Sequence, residues 1–232
     1  MNSEKLSDVL QDYIDEGFVE IIDLRGKNFT QKRFFIKSFE AFKSKCRWML
    51  YFDVDEYLEF VNKNTTINDY LSQDRFIKCK VIKVNWVLFN NEDLLYYDNR
   101  SLHERFTKPS YIKSQVRTVK SIIRNDSKIN PWKKAVPHEP APGLYSCNSI
   151  GKYSPFNNGR IYPPILNYCY LKHYHYKSVE EFGYKIKKGF NGVPYNIDFK
   201  IKIYFQHNKY SKNKVKILEK ILNKNFSWLH NK

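Results

Sequence analysis

The sequence predicts an α/β protein: a mixed, mainly parallel sheet flanked by helices. Three observations carry this. Residues 3–52 alternate helical and strand patterns twice, the rhythm of an α/β sheet. The nearly apolar run Trp48-Met49-Leu50-Tyr51-Phe52 stops at Asp53-Val54-Asp55-Glu56, as a buried strand does when it leaves a core. Runs of strand character at 79–89, 116–124 and 165–174 supply the rest of a sheet. With 232 residues, 42% of them hydrophobic, the chain can bury one substantial core.

Taken in order, Ser3 caps an amphipathic helix in which Leu6, Val9, Leu10, Tyr13 and Ile14 share a face, and Gly17 ends it. Residues 18–24 alternate and are β-branched, which predicts a strand, and Gly26 and Asn28 turn the chain. A second helix over 31–43 carries Phe34, Phe35, Ser38, Phe39 and Phe42 on one stripe and leads to the acidic strand. Thr66 opens a short helix to Leu71. A long strand over 79–89 holds Trp86, and 90–102 is a polar surface loop. After the alternating strand 116–124, a proline-rich loop over 129–143 holds His138. Beyond the last strand, Ser178 caps a helix closed by Gly189. From Lys209 a basic amphipathic helix places Val215, Leu218, Ile221 and Leu222 on one face. That face either packs on the core or rests on an anionic membrane. The expected division is 1–200 for the α/β body and 201–232 for this basic helical tail.

A formal net charge of +16 attracts anions, which nucleotide diphosphates, anionic lipid and nucleic acid all satisfy. The lysines are spread along the chain and no nucleic-acid module signature is present, so nucleic acid is not expected as a partner. A basic nucleic-acid-binding protein is carried as the contrasting class. Cys46, Cys79, Cys147 and Cys169 lack C-x-x-C spacing, which suggests free thiols in a reducing compartment rather than a zinc site or disulfide framework. No apolar run approaches about 18 residues, and no signal peptide opens the chain. The expected location is the cytoplasm, with peripheral membrane contact through the tail.

Asp53 and Asp55 are two residues apart, so continued extended geometry points them the same way. Such a pair can hold a hard divalent cation that grips phosphates. A solvated acidic turn explains the motif as well, and the rest of the chain has to decide. Four segments in order do so: YIDEGFVEIIDLRG with Gln31, WMLYFDVDEYLEF, VNWVLF followed by HERFT and VKSIIR, and HYHYKSVEEFGYKIKKG. Together they resemble glycosyltransferase family 92 and its near relatives among family-2-like transferases, over most of residues 5–190.

The resemblance implies a GT-A fold and an inverting, metal-dependent transfer of a sugar. The donor would be a nucleotide-diphosphate sugar, and the acceptor a glycan or lipid-linked molecule. It implies Mn2+ or Mg2+ at Asp53 and Asp55, with Asp55 the direct ligand and Asp53 nearer the ribose or bound through water. His173 matches the histidine of H-Y-x-x-K-S and completes the metal site on this view, while Lys177 meets the diphosphate at the amino end of a helix. His138 is the rival third ligand or an acceptor contact. Gln31 is placed with the substrates, and Trp86 either stacks on a sugar or fills the core. Inversion needs a general base, usually a carboxylate. Glu104 in E-R-F-T is preferred, with Asp93 and Glu92 in the preceding loop as alternatives. Glu56 orients the acidic turn or caps the next segment. Family members open with a strand that this chain does not show, so the base-reading end of the donor site is expected to be missing. An inactive, truncated relic that binds a partner is the alternative this raises. A haloacid-dehalogenase-type phosphatase needs a later acidic pair that is not found.

Overall fold

In the computed structural model the sheet is assembled on Val81–Phe89 (β3), whose side chains are buried except for a half-buried Trp86. The structure describes residues 6–23, 31–110, 116–125, 132, 138–140, 142–189 and 196–230. The other described strands are Trp48–Leu50 (β1), Glu56–Phe60 (β2), Pro109–Ser110 (β4), Val119–Arg124 (β5), Ser146–Asn148 (β6) and Cys169–His173 (β7). The main path runs β1-β5-β3-β7-β2, with β4 and β6 added on β3. Only the β3–β6 and β3–β7 pairs are parallel; β1–β5, β2–β7, β3–β4 and β3–β5 are antiparallel. The sheet is therefore mixed as expected, but not mainly parallel. Between β3 and β5 the chain turns back through β4 instead of crossing the sheet on a long helix.

The helices among the described residues are Leu6–Val9 (α1), Gln11–Asp15 (α2), Gln31–Phe42 (α3), Ile67–Leu71 (α4), Leu102–Arg105 (α5), Val179–Lys188 (α6), Ile197–His207 (α7), Lys212–Leu222 (α8) and Ser227–His230 (α9). Alternation along the strands divides the core. Phe35 and Phe39 of α3 pack with Val81 and Ile123, whereas Tyr70 of α4 and Phe76 pack with Ile82, Val84, Ile122 and Leu171.

The link between β1 and β2 is only residues 51–55, yet these strands end the main path on opposite sides. That link is not extended, because the Glu56 N–H donates to the Asp53 carbonyl at 2.9 Å. The sheet curls until its two ends meet, and the acidic turn closes the gap. Glu56–Phe60 is thus a strand in its own right, which the sequence reading had left inside the acidic stretch.

Several expectations are corrected. Residues 18–23 form no strand, and Phe18 is 78% exposed, with Ile21 and Ile22 also at the surface. Alternation alone cannot make a strand where no apolar layer lies beneath it. Ser3, Leu24, Gly26 and Asn28 lie outside the described residues. The first helix is divided at Leu10 into α1 and α2, and neither has a buried residue. Gly17 does end it, at φ +77°, with the Phe18 N–H on the Tyr13 carbonyl at 2.9 Å. Cys79 and Cys147 form a disulfide across 68 residues rather than standing as free thiols. Sequence spacing could not reveal it, because the parallel β3–β6 pairing brings the two cysteines together. Cys46 and Cys169 are free.

The carboxyl-terminal helices follow their local signals. Ser178 and Glu181 make a reciprocal capping box at the start of α6, and Gly189 closes the helix at φ +73°. Val215, Leu218 and Leu222 of α8 are buried with Phe182 and Ile186 of α6 and Tyr204 of α7. The core therefore takes the apolar face that was weighed for a membrane. α7 runs through residue 200, so body and tail share this cluster. No helix among the described residues is long and apolar enough to cross a membrane.

Candidate functional site

The acidic turn sits where the curled sheet closes, and each of its carboxylates meets a different wall. Asp53 Oδ2 accepts from Lys120 Nζ at 2.7 Å, and its Oδ1 accepts from Gln31 Nε2 of α3 at 3.3 Å. Lys120 belongs to β5, has a side chain only 1% exposed, and also stands 3.4 Å from Glu56 Oε2. Glu56 is buried, and its Oε2 accepts the Asp53 N–H at 3.0 Å, so it orients the turn. Burial pushes the Glu56 carboxyl up to about 7, against the pull of Lys120.

Asp55 does not point the same way as Asp53, because the chain turns between them. Its Oδ1 lies 3.6 Å from His173 Nε2 of β7, and its Oδ2 lies 3.5 Å from Lys185 Nζ of α6. His173 pairs with Glu56 in the β2–β7 register, which brings the histidine to the turn. Burial, helped by Lys185 and Lys120, holds His173 well below the usual histidine range, so the imidazole is neutral. Its Nδ1 has no hydrogen-bond partner among the described residues. Lys185 also donates to the His175 carbonyl at 3.2 Å and lies 3.3 Å from His175 Nδ1. Lys177, at a left-handed φ of +50°, stands just before the Ser178 cap and adds to the positive potential at His173.

Trp86 packs against the core, as the sequence allowed, and also lies against two histidines. Its ring lies 4.4 Å from that of His173 and 5.1 Å from that of His138, with Lys120 Nζ 5.8 Å from its centroid. Burial and Lys120 push His138 down to about 4, so this imidazole is also uncharged. The fold thus brings Gln31, Asp53, Asp55, Trp86, His138, His173 and Lys177 near one another.

Glu104 and Asp93 are employed elsewhere. Glu104 Oε2 accepts the Ser101 N–H at 2.8 Å and the Ser101 hydroxyl at 2.7 Å, capping α5 from an exposed position. Asp93 Oδ1 accepts from Lys214 of α8 at 2.5 Å, and Glu92 accepts from the Thr107 hydroxyl at 2.7 Å. These bonds tie loop ends and helices together and do not reach the acidic turn. Conversely, sequence reasoning missed Lys120 and Lys185. For Lys120 the sequence carried no signal, since a lysine in an alternating strand ordinarily lies on the solvent face. Lys185 offered none beyond its place in a lysine-rich helix.

Among the described residues no group of three or more His, Cys, Asp or Glu side chains is arranged to hold a metal ion. Asp55 and His173 make a smaller set, one carboxylate oxygen facing one imidazole nitrogen. A carboxylate oxygen and an imidazole nitrogen are donor types that a divalent cation could take. Asp53 is turned away towards Lys120.

Carboxylates and a neutral histidine thus stand with Lys120, Lys177 and Lys185 where the α/β sheet closes, a charged cluster of the kind an enzyme site presents. The profile of Glycosyltransferase family 92 matches residues 2–225. The chain belongs to that family and is a glycosyltransferase. No curated protein matches it.

Proposed function

We propose that the chain is an inverting, metal-assisted glycosyltransferase of the GT-A type. It would move a sugar from a nucleotide-diphosphate donor to a glycan or lipid-linked acceptor. One observation supports this most: Asp55 and His173 face each other at 3.6 Å beside Lys185, with Lys177 and Lys120 close by. Asp55 and His173 would hold Mn2+ or Mg2+, which when bound neutralises the departing diphosphate. Asp53, fixed by Lys120 and Gln31, takes the ribose-facing or water-mediated part. Lys177 and the first-turn amides of α6 offer positive charge to the phosphates.

Neither Glu104 nor Asp93 is free to act as base, and that role passes to His138. Its imidazole is neutral and so can take up a proton. In the transfer, the acceptor oxygen bonds to the anomeric carbon and the bond from that carbon to the phosphate oxygen breaks. The electron pair leaves on the diphosphate, and the acceptor proton goes to His138. The cytoplasmic reading rested in part on free thiols, beside the lack of a long apolar run and of a signal peptide. The Cys79–Cys147 bond removes the thiol ground and fits an oxidising compartment better.

The test is a panel of nucleotide-sugars with Mn2+ or with chelator, following nucleoside-diphosphate release. Asp55→Ala is expected to abolish release, and unchanged release would sink the metal assignment. A second reading, a donor-binding relic without turnover, draws on the ion pairs by which Lys120 and Lys185 already neutralise the aspartates. It predicts nucleotide-sugar binding that survives chelation, with no diphosphate released.

A further inference from the structure

An open cleft of about 440 Å³ is lined in part by Asn148, Tyr153, Phe156, Asn157, Arg160 and Tyr162. That volume is within the range of small-ligand sites. Its aromatic side chains are offered to solvent: Tyr153 is 60% exposed, Phe156 36% and Tyr162 69%. Exposed rings among amide and guanidinium groups suit a sugar, whose C–H face stacks on an aromatic while its hydroxyls seek polar partners.

The cleft is held in shape from beneath. Glu139 Oε2 accepts the N–H groups of Asn157 at 3.0 Å and Gly159 at 2.7 Å. Its Oε1 accepts from Lys83 Nζ of β3 at 2.8 Å, and Lys83 also donates to the Pro155 carbonyl at 2.7 Å. Both charged side chains are almost fully buried, 0% and 1% exposed. A buried ion pair is a costly way to brace a surface loop. Here it fixes the backbone under Tyr153 and Phe156 to the central strand. On the far wall, the Arg117 guanidinium lies 4.3 Å from the Tyr162 ring.

The same wall leads to the reacting groups. A Cβ placed on Gly159 would come 2.9 Å from His138 Cβ, so the backbone passes directly against that histidine. The Val119 N–H donates to the Gly159 carbonyl at 3.0 Å, and the Ile161 N–H to the Arg117 carbonyl at 2.8 Å. The cleft is therefore stitched to the start of β5, one residue from Lys120.

We propose that this cleft is the acceptor subsite, seating a sugar ring of the acceptor against Tyr153 and Phe156 with its reacting hydroxyl towards His138. The proposal rests on the transferase reading above and names where its second substrate binds. It is tested by saturation-transfer NMR with a panel of p-nitrophenyl glycosides and no donor, on the full chain, Tyr153→Ala/Phe156→Ala and Asp55→Ala. At least one glycoside is expected to bind the full chain and Asp55→Ala alike, and the double variant about tenfold more weakly. The double variant is expected to keep its affinity for a nucleoside diphosphate with Mn2+. Equal glycoside binding by the double variant, or binding of no glycoside, overturns the proposal. If the double variant does not fold, the exposed single change Tyr153→Ala carries the same comparison. Failure of the transferase reading is seen separately, as no nucleoside-diphosphate release by the full chain from any donor with Mn2+ present.

Discussion

Lys120 Nζ stands between Asp53 at 2.7 Å and Glu56 at 3.4 Å, on a side chain 1% exposed. Without the ammonium, the fully buried Glu56 carboxyl would lose its cationic partner, while Asp53, 44% exposed, would keep contact with water. Lys120→Met is expected to destabilise the fold by roughly 3 kcal/mol, read from the urea midpoint. Adding Glu56→Gln should restore part of that loss, because the stranded carboxylate goes with its partner. A single variant as stable as the parent would show that the pair does not hold the turn. His138→Gln should lower kcat by about 10²–10⁴ and leave donor binding unchanged. A further histidine reports on acid stability. His207 of α7 is buried, and burial pushes it down to about 4, below its unfolded value of about 6.5. Above the unfolded value it costs nothing. As pH falls from about 6.5 towards 4, the unfolded chain binds a proton that the folded one resists, and roughly 3 kcal/mol is lost. His207→Gln should flatten that acid-side decline in Tm, and an unaltered decline would remove His207 from the account. At this scale the sequence made Asp53, Asp55 and His173 legible because they sit in short motifs. Lys120 and Lys185 were not, since their partners lie 67 and 130 residues away.

The element that carries most of the site's positive charge is α6, with Lys177 before its cap and Lys185 within it. Ser178→Ala removes an acceptor that satisfies the Glu181 N–H, and should cost about 1 kcal/mol. Because the cap also sets the direction of the helix at Lys177, the same variant should bind nucleoside diphosphate more weakly. Titration calorimetry beside thermal denaturation separates the two effects, and intact affinity would detach the cap from the site. α6 could be read from the sequence because Ser178, Glu181 and Gly189 are all local signals. Residues 18–24 misled for the opposite reason: alternation is a statement about a buried face, and the described part of that segment has none. β2 was hidden because Glu56 reads as part of an acidic turn, although the sheet buries it opposite His173.

At the scale of the molecule, the Cys79–Cys147 bond ties the start of β3 to β6 across 68 residues. Closing so long a loop restricts the unfolded chain, and Cys79→Ser/Cys147→Ser is expected to cost roughly 2–5 kcal/mol. Chemical denaturation of the oxidised protein against the double variant measures it, and equal midpoints would refute it. The strand order has a kinetic consequence. Along β1-β5-β3-β7-β2 no two neighbours are consecutive in the chain, so no hairpin on that path can form first and template the rest. Loop-closure entropy must be met before any of these pairings is rewarded, which is the condition for slow folding. Donor and acceptor sites alike wait on that step, since the curl that brings Asp55 to His173 exists only when β2 has found β7. Nascent chains would thus spend their longest interval with β3, the most apolar strand, still uncovered, and their yield should depend on how well that interval is protected from aggregation.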